Sequence, residues 1–304
     1  MTRGSRRYLR PDAIARIARL ELRARAVVEG VLAGLHKSPF KGQSVAFLQH
    51  REYAPGDDLR RVDWKVWARQ DRLTVKEFEE ETDLRLTLLV DGSASMDYAP
   101  DRPATPRLGK YDCAATLAAS LAWLALSHGD AVGCTVFDDH VRATTPARTA
   151  RSHLGEIVEV LERPRKGRPT AFAPVLREMA ETLPPRGLVA IVTDLLGDRE
   201  GMFQGMRLLR KRGHDLVLVH VMDDDEIDFP FEGPTRFEGL ELPDQVACNP
   251  RALRAGYLEA VEAFLGEARR RAAAAKCDYT LVRTGEPVDA ALVKFLSRRA
   301  SMAV

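Results

Sequence analysis

The chain has 304 residues, 45% hydrophobic and 30% charged, the composition of an ordinary folded protein rather than a disordered or fibrous one. Its length suits one large α/β domain with an appended segment, or two domains. A formal net charge of +2 argues against a polyanionic partner captured by bulk charge.

The four cysteines, Cys113, Cys134, Cys248 and Cys277, are far apart and form no Cys-x-x-Cys. That spacing argues against both a thiolate zinc site and a disulfide framework, and it fits a reducing compartment. Apolar runs stay below the ~18 residues of a membrane helix, and the N-terminus lacks an apolar signal core. A cytoplasmic protein without membrane insertion is the resulting expectation.

Residues 1–37 carry nine Lys/Arg against three Asp/Glu. Within them, Ile14, Ile17, Leu20, Val27, Val28, Val31, Leu32 and Leu35 recur at helical spacing, and Pro11 suits a first turn. The pattern predicts an amphipathic N-terminal helix whose basic residues form a solvated face. Residues 38–84 read as a small β/turn subdomain packed on the main domain. Ser44–Leu48 and Leu73–Phe78 are strand-like, a turn falls at Pro55-Gly56-Asp57, and Trp64 and Trp67 share a helical face. Arginines and aspartates are equally dense there, which favours internal ion pairs over a nucleic-acid surface.

From residue 85 to 304 the pattern alternates strand and helix. Strands are expected at 86–90, 131–137, 141–145, 188–192, 216–221 and 279–283. Helices are expected at 111–127, 152–161, 172–183, 201–211, 250–275 (capped by Asn249) and 288–298. Continuous apolar runs such as Leu86-Thr87-Leu88-Leu89-Val90 and Leu216–Val221 are those of strands buried on both faces. The alternation predicts an α/β fold, a doubly wound, mostly parallel sheet. An insertion around residues 223–248 breaks it. Its acidic run, Asp223-Asp224-Asp225-Glu226-Ile227-Asp228, reads as a solvated loop, and Arg236–Val246 as a small hairpin.

Chemistry concentrates at Asp91-Gly92-Ser93-Ala94-Ser95, directly after the first apolar strand. Ligand sites in open α/β sheets lie beyond the carboxyl ends of strands, at the topological switch point. Asp194 ends a second strand, and Thr170 lies in the loop that leads towards it. Two carboxylates and three hydroxyls are hard oxygen ligands suited to Mg²⁺, or to Mn²⁺ or Ca²⁺. A cation so held keeps a coordination position for an acidic side chain from a partner. Set against this, Ser93 and Ser95 are also ordinary helix-capping and turn residues. His220, inside an apolar strand, reads as a satisfied core histidine.

The set Asp91, Ser93, Ser95, Thr170 and Asp194 resembles the metal-ion-dependent adhesion site of von Willebrand factor A domains. Upstream, Arg51-x-Tyr53-x-x-Gly56-Asp57-Asp58-x-Arg60-x-Val62-Asp63-Trp64, then Ala68-Arg69 and Glu77, Glu79 and Glu80, resembles the bacterial "domain of unknown function 58" family. Tyr257, Phe264, Asp278-Tyr279 and Leu296–Arg299 extend the likeness, which spans roughly residues 38–300. In that family a small residue precedes the threonine and an acidic one follows; here Pro169 and Ala171 flank Thr170. The resemblance implies a von Willebrand factor A-like fold and a metal-dependent, non-enzymatic protein-binding module. It also implies a MoxR-type AAA+ ATPase as partner. Basic residues beside Thr170 (Arg163, Arg165, Lys166, Arg168) are placed to steer an acidic partner. The competing reading is a metal-dependent phosphohydrolase or nuclease using the same site.

Overall fold

The structure is a computed structural model. It describes residues 20, 22, 24, 45–52, 66, 74–80, 84–100, 107–165, 167–241 and 243–302. The chain divides into two compact units: Phe40–Leu84, and Met1–Pro39 with Arg85–Val304. In the smaller unit, β1 (Val45–Glu52) pairs antiparallel with β2 (Thr74–Glu80), with a register shift between Phe47 and Gln49. The expected Trp64/Trp67 face and the Pro55-Gly56-Asp57 turn lie outside the described residues. Of the expected N-terminal helix, Leu20, Leu22 and Ala24 are described and helical, with Leu20 and Ala24 buried and Leu22 exposed.

The larger unit holds a six-stranded sheet. Its strands are β3 (Arg85–Asp91), β4 (Ala131–Phe137), β5 (Val141–Arg148), β6 (Gly187–Thr193), β7 (His214–Met222) and β10 (Cys277–Arg283). Their order is β10-β7-β6-β3-β4-β5, parallel except for β5, which runs antiparallel to β4. The chain starts at β3, moves to β4 and β5 on one side, then crosses to β6 on the other. The switch point is therefore the gap between the carboxyl ends of β3 and β6.

Helices cover both faces. The first layer contains α1 (Lys110–Ser127), which packs on α2 (Leu154–Leu161) and on α7 (Val288–Met302). In the second, α3 (Phe172–Thr182) packs on α4 (Arg199–Lys211). Phe172, Val175 and Leu176 of α3 and Met202, Phe203 and Met206 of α4 join Leu89, Val189, Ile191 and Leu218 in one core. Strand alternation turns Leu88, Val90, Ala190 and Val192 to the opposite face, where they are also buried. That double burial is why these strands are continuous apolar runs.

The acidic run after β7 is not the solvated loop expected from its composition. Asp224–Asp228 forms the short helix α5, with Asp223 as its cap. Asp223 Oδ1 accepts from Asp225 N at 2.8 Å, and Glu226 Oε2 accepts from Asp223 N at 2.8 Å, a reciprocal capping box. Asp223 and Asp225 are buried. Burial is sustained by Arg107, 3.0 Å from Asp225 and 2.9 Å from Asp224, by Arg283 on Asp224, and by the Thr284 hydroxyl on Asp223. Beyond it come the hairpin β8 (Thr235–Glu238) and β9 (Gln245–Cys248), then α6 (Pro250–Ala274). Asn249 caps α6, accepting from Arg251 N at 3.2 Å.

Candidate metal centre

Asp91 is the last residue of β3 and is fully buried. The chain turns immediately after it, because Gly92 N donates to Phe137 O of β4 at 2.7 Å. A side chain at Gly92 has no room: a Cβ there would lie 2.9 Å from Val136 Cγ1. The turn aims the next residues back at the carboxylate. Ser93 N donates to Asp91 Oδ1 at 3.0 Å, and the Ser93 and Ser95 hydroxyls lie 3.1 Å apart. Both serines are buried. Ser93 caps the 3-10 turn Ala94–Asp97 by position, but its side chain makes no capping hydrogen bond.

Thr170 arrives from the loop between α2 and α3. Two backbone bonds lace that loop to the strand ends: Ala94 N to Arg168 O at 3.0 Å, and Ala171 N to Asp138 O at 3.0 Å. Its hydroxyl then donates to both oxygens of Asp91 at 3.3 Å. The Pro169 and Ala171 neighbours leave the hydroxyl in position.

Asp194 follows β6. Thr193, beside it, donates its hydroxyl to Asp91 Oδ2 at 2.6 Å and accepts from Leu195 N at 3.1 Å. Asp194 Oδ1 accepts from Leu196 N at 3.0 Å. Leu195 is buried with φ of 58°, an outlier for a bulky residue. From β7, His220 Nε2 donates to the Asp194 carbonyl at 2.9 Å, while Nδ1 accepts from the Tyr279 hydroxyl at 2.8 Å. Burial pushes His220 down to about 4, so the ring is neutral and serves as a strut.

The structure thus brings Asp91, Ser93, Ser95 and Thr170 into one hydrogen-bonded group at the end of β3, and Asp194 follows Thr193, itself bonded to Asp91, at the end of β6. Three contributors were not foreseen from the sequence. Thr193 is one. The others are Lys110, whose fully buried ammonium lies 2.7 Å from Asp194 Oδ2, and Glu226, 2.8 Å from the same ammonium. One sequence signal was available for Lys110. It opens an otherwise apolar helix, where the dipole disfavours a cation unless carboxylates compensate. Burial works against its ammonium, yet the charges of Asp194 and Glu226 hold it protonated above the ordinary lysine value.

The electrostatics are unbalanced. Among the described residues, Asp91, Asp194 and Glu226 supply three carboxylates against the one ammonium of Lys110, a formal deficit that one divalent cation would cancel. Burial, and then the charge of Asp194, push Asp91 up to about 7 from an ordinary 3.8. The donor set fits a hard cation: among the described residues, buried carboxylates and hydroxyls gather there without a sulfur or imidazole ligand. Asp91, Ser93, Ser95 and Thr170 are the residues that would hold it, with Asp194 shared with Lys110.

The neighbouring basic loop carries less free charge than expected. Arg165 pairs with Asp97 and lies over the Tyr111 ring at 3.6 Å; Arg168 pairs with Asp139 at 2.9 Å. Lys166 lies outside the described residues. A second acidic group, Asp138, Asp139 and His140, is matched by Arg142 and Arg168.

Residues 49–264 match the family described as "Protein of unknown function DUF58". The chain belongs to the DUF58 family. It is 27% identical over 298 residues to uncharacterized protein Rv1480 of Mycobacterium tuberculosis, covering 95% of this chain and 90% of that one. Two solved structures, each 16% identical and each covering 72% of this chain and 99% of the other, resemble it. One is an aerotolerance-related membrane protein from Bacteroides fragilis (TM-score 0.46). The other is the conserved hypothetical protein BatB from Bacteroides thetaiotaomicron (TM-score 0.43). Among such neighbours the cytoplasmic expectation is corrected: a protein with a domain like this DUF58 chain is described as a membrane protein. Among the described residues no helix is long and apolar enough to cross a membrane. A domain's polar exterior does not report whether the protein is tethered to a bilayer, so composition does not decide localisation.

Proposed function

We propose that this DUF58 chain is a divalent-metal-dependent protein-binding module, with Mg²⁺ as the cation. Its site takes a carboxylate from a partner protein into the open coordination position. One observation carries the reading. Hard oxygen groups gather at the sheet's switch point around the buried carboxylates of Asp91 and Asp194, of which Asp194 alone is paired with the Lys110 ammonium among the described residues. When bound, the cation supplies a Lewis-acidic position for an external oxygen. The chain's own residues do the rest. Thr193 and Thr170 orient Asp91, His220 and Leu196 N fix the Asp194 turn, and Lys110 neutralises one carboxylate so that charge is left for a ligand.

The resemblance to von Willebrand factor A-like proteins encoded beside MoxR-type AAA+ ATPases makes such an ATPase the first partner to test. A binding role is preferred to hydrolysis because His220, the imidazole touching Asp194, is neutral with both ring nitrogens engaged. The test is calorimetric titration of Mg²⁺ and Mn²⁺ into chelator-stripped protein, with Asp91→Ala as control. Saturable one-site binding that Asp91→Ala abolishes is the expected result; equal heats from both proteins would overturn the reading.

A further inference from the structure

Beside the metal centre lies a cavity of about 620 Å³, a volume that suits a recognition pocket. Its wall is aromatic. Phe229 stacks on Tyr257 at 4.2 Å between centroids and on Phe237 at 5.7 Å, while Phe231 meets Phe229 and Phe237 edge-on at 5.2 and 5.0 Å. Phe229 enters this cluster from the left-handed region, φ 46°, a costly conformation for a bulky residue and one that the cap of α5 imposes. Val246 and Leu253, on the hairpin and at the start of α6, line the cavity while 56% and 48% exposed.

The polar groups around the cavity are already spent. The Tyr98 hydroxyl donates to Asp225 Oδ2 at 3.0 Å, and the Tyr257 hydroxyl donates to the Glu226 carbonyl at 2.9 Å. Asp225 is paired with Arg107 and Glu226 with Lys110. Among the described residues, a cationic occupant would find no unpaired carboxylate in the wall, and a polar one would lose its water without replacement. Among the described lining residues, what remains for recognition is carbon surface and aromatic rings, which suit a planar, apolar group.

Cavity and metal centre are joined through one atom. Lys110 Nζ bridges Glu226 of the cavity wall and Asp194 of the metal centre at 2.8 and 2.7 Å. Tyr98, in the wall, follows directly on the 3-10 turn that carries Ser95. The cavity wall and the metal centre are therefore separated by a single ion-pair bridge.

We infer that this cavity is an anchor site for an aromatic side chain of the partner protein, placed a few residues from the carboxylate that completes the metal. The inference rests on the metal-dependent reading for its second half; the cavity itself does not. An aromatic anchor in a desolvated pocket supplies affinity, and the metal-bound carboxylate supplies register.

Cys248 lines the cavity and is partly exposed, while Cys113, Cys134 and Cys277 are buried, so the cavity carries its own chemical reporter. The full chain is exposed to an equimolar pair of disulfides, one delivering a phenethyl thiol and one a polar thiol of equal size. Adducts at Cys248 are then counted by mass spectrometry. The phenethyl adduct is expected to exceed the polar one at least tenfold, and Leu253→Asp to bring the two to parity. Parity in the unaltered chain would overturn the anchor site, and since no metal is involved, the result is independent of the metal reading.

The second arm offers peptides with one aspartate and one phenylalanine separated by one to four glycines, in Mg²⁺. At least one is expected to slow N-ethylmaleimide labelling of Cys248 tenfold, and its Phe→Ala version not to. Failure of every spacing would overturn the partner assignment, as would equal protection by phenylalanine amide alone, which would make the cavity a small-molecule site. Protection that survives Asp91→Ala would uphold the anchor site and refute the metal-site reading.

Discussion

The carboxylates at the ends of β3 and β6 and those of α5 are two acidic clusters that meet at one ammonium, that of Lys110. They differ in how their charge is matched. Around α5, Asp223, Asp224 and Asp225 have Arg107, Arg283, Thr284 and a capping box, so their charge is consumed by the fold. At the strand ends, Asp91 has hydroxyls and a backbone N–H but, among the described residues, no cation of its own, and Asp194 has half a lysine. The lesson is that acidity along a chain says little; the number of internal cations per buried carboxylate separates scaffold from site. Asp138 and Asp139, with Arg142 and Arg168 against them, belong with the scaffold.

The comparison is broken most severely by removing a scaffold charge. Asp223→Ala leaves Arg107 without one buried partner and α5 without its cap, and should cost about 3–5 kcal/mol of stability in urea unfolding. Mg²⁺ should still raise the melting temperature of whatever fraction folds. If Asp223→Ala proves as stable as the parent, α5 is not held by its charges.

Lys110→Met tests the shared ammonium. In chelator it strands Asp194 and Glu226 in the interior and should lower stability by about 3 kcal/mol. Because the vacated charge lies at the metal centre, Mg²⁺ should recover more stability in this variant than in the parent. A loss that Mg²⁺ does not touch would separate Lys110 from the metal centre.

Asp91→Asn sharpens the contrast from the other side. The amide keeps the shape while removing the unmatched charge, so metal-free stability at pH 8 should stay within about 1 kcal/mol of the parent or rise above it. The Mg²⁺-induced rise in melting temperature should vanish. Gross unfolding of this variant would contradict the division between site and scaffold.

The pH dependence follows from Asp91. Its carboxyl is pushed up to about 7 in the folded chain from an ordinary 3.8, so the folded state holds a proton that the unfolded chain has released. Its contribution is whole below about pH 4 and is lost as pH rises through 7. A divalent cation relieves the charge left behind. The thermal shift produced by Mg²⁺ should therefore grow between pH 5 and pH 8, and a shift equal at both would count against Asp91 as ligand. The smallest effect is expected at the surface. Arg168→Ala removes an exposed partner of Asp139 and should change stability by less than about 1 kcal/mol.

Much of the fold was legible. Ala131–Phe137 was predicted to the residue, and the apolar runs of β3, β6 and β7 gave a parallel sheet because strands buried on both faces cannot alternate. Asn249-Pro250 marked the start of α6 for a local reason, since a cap and a first-turn proline act within one turn. Asp91 and Asp194 could be placed because each ends an apolar run, and strand ends are where such sheets put their sites. The acidic run misled because composition counts charges without their partners, and Arg107 and Arg283 lie far from it along the chain. Thr193 was passed over as the last residue of a strand, a position that ordinarily carries nothing beyond β-propensity.

By itself, then, the sequence determined which residues form strands and helices, and that a carboxylate with two hydroxyls stands at a strand end. These are properties of period and nearest neighbours. Only the tertiary structure decided that Thr170 and Thr193 bond Asp91, that Lys110 is divided between Asp194 and Glu226, and that Phe229, Phe231, Phe237 and Tyr257 gather in the wall of one cavity. Those facts depend on which chain segments the sheet order brings together. Sheet order is settled by packing the whole core, a long-range balance that no local window contains.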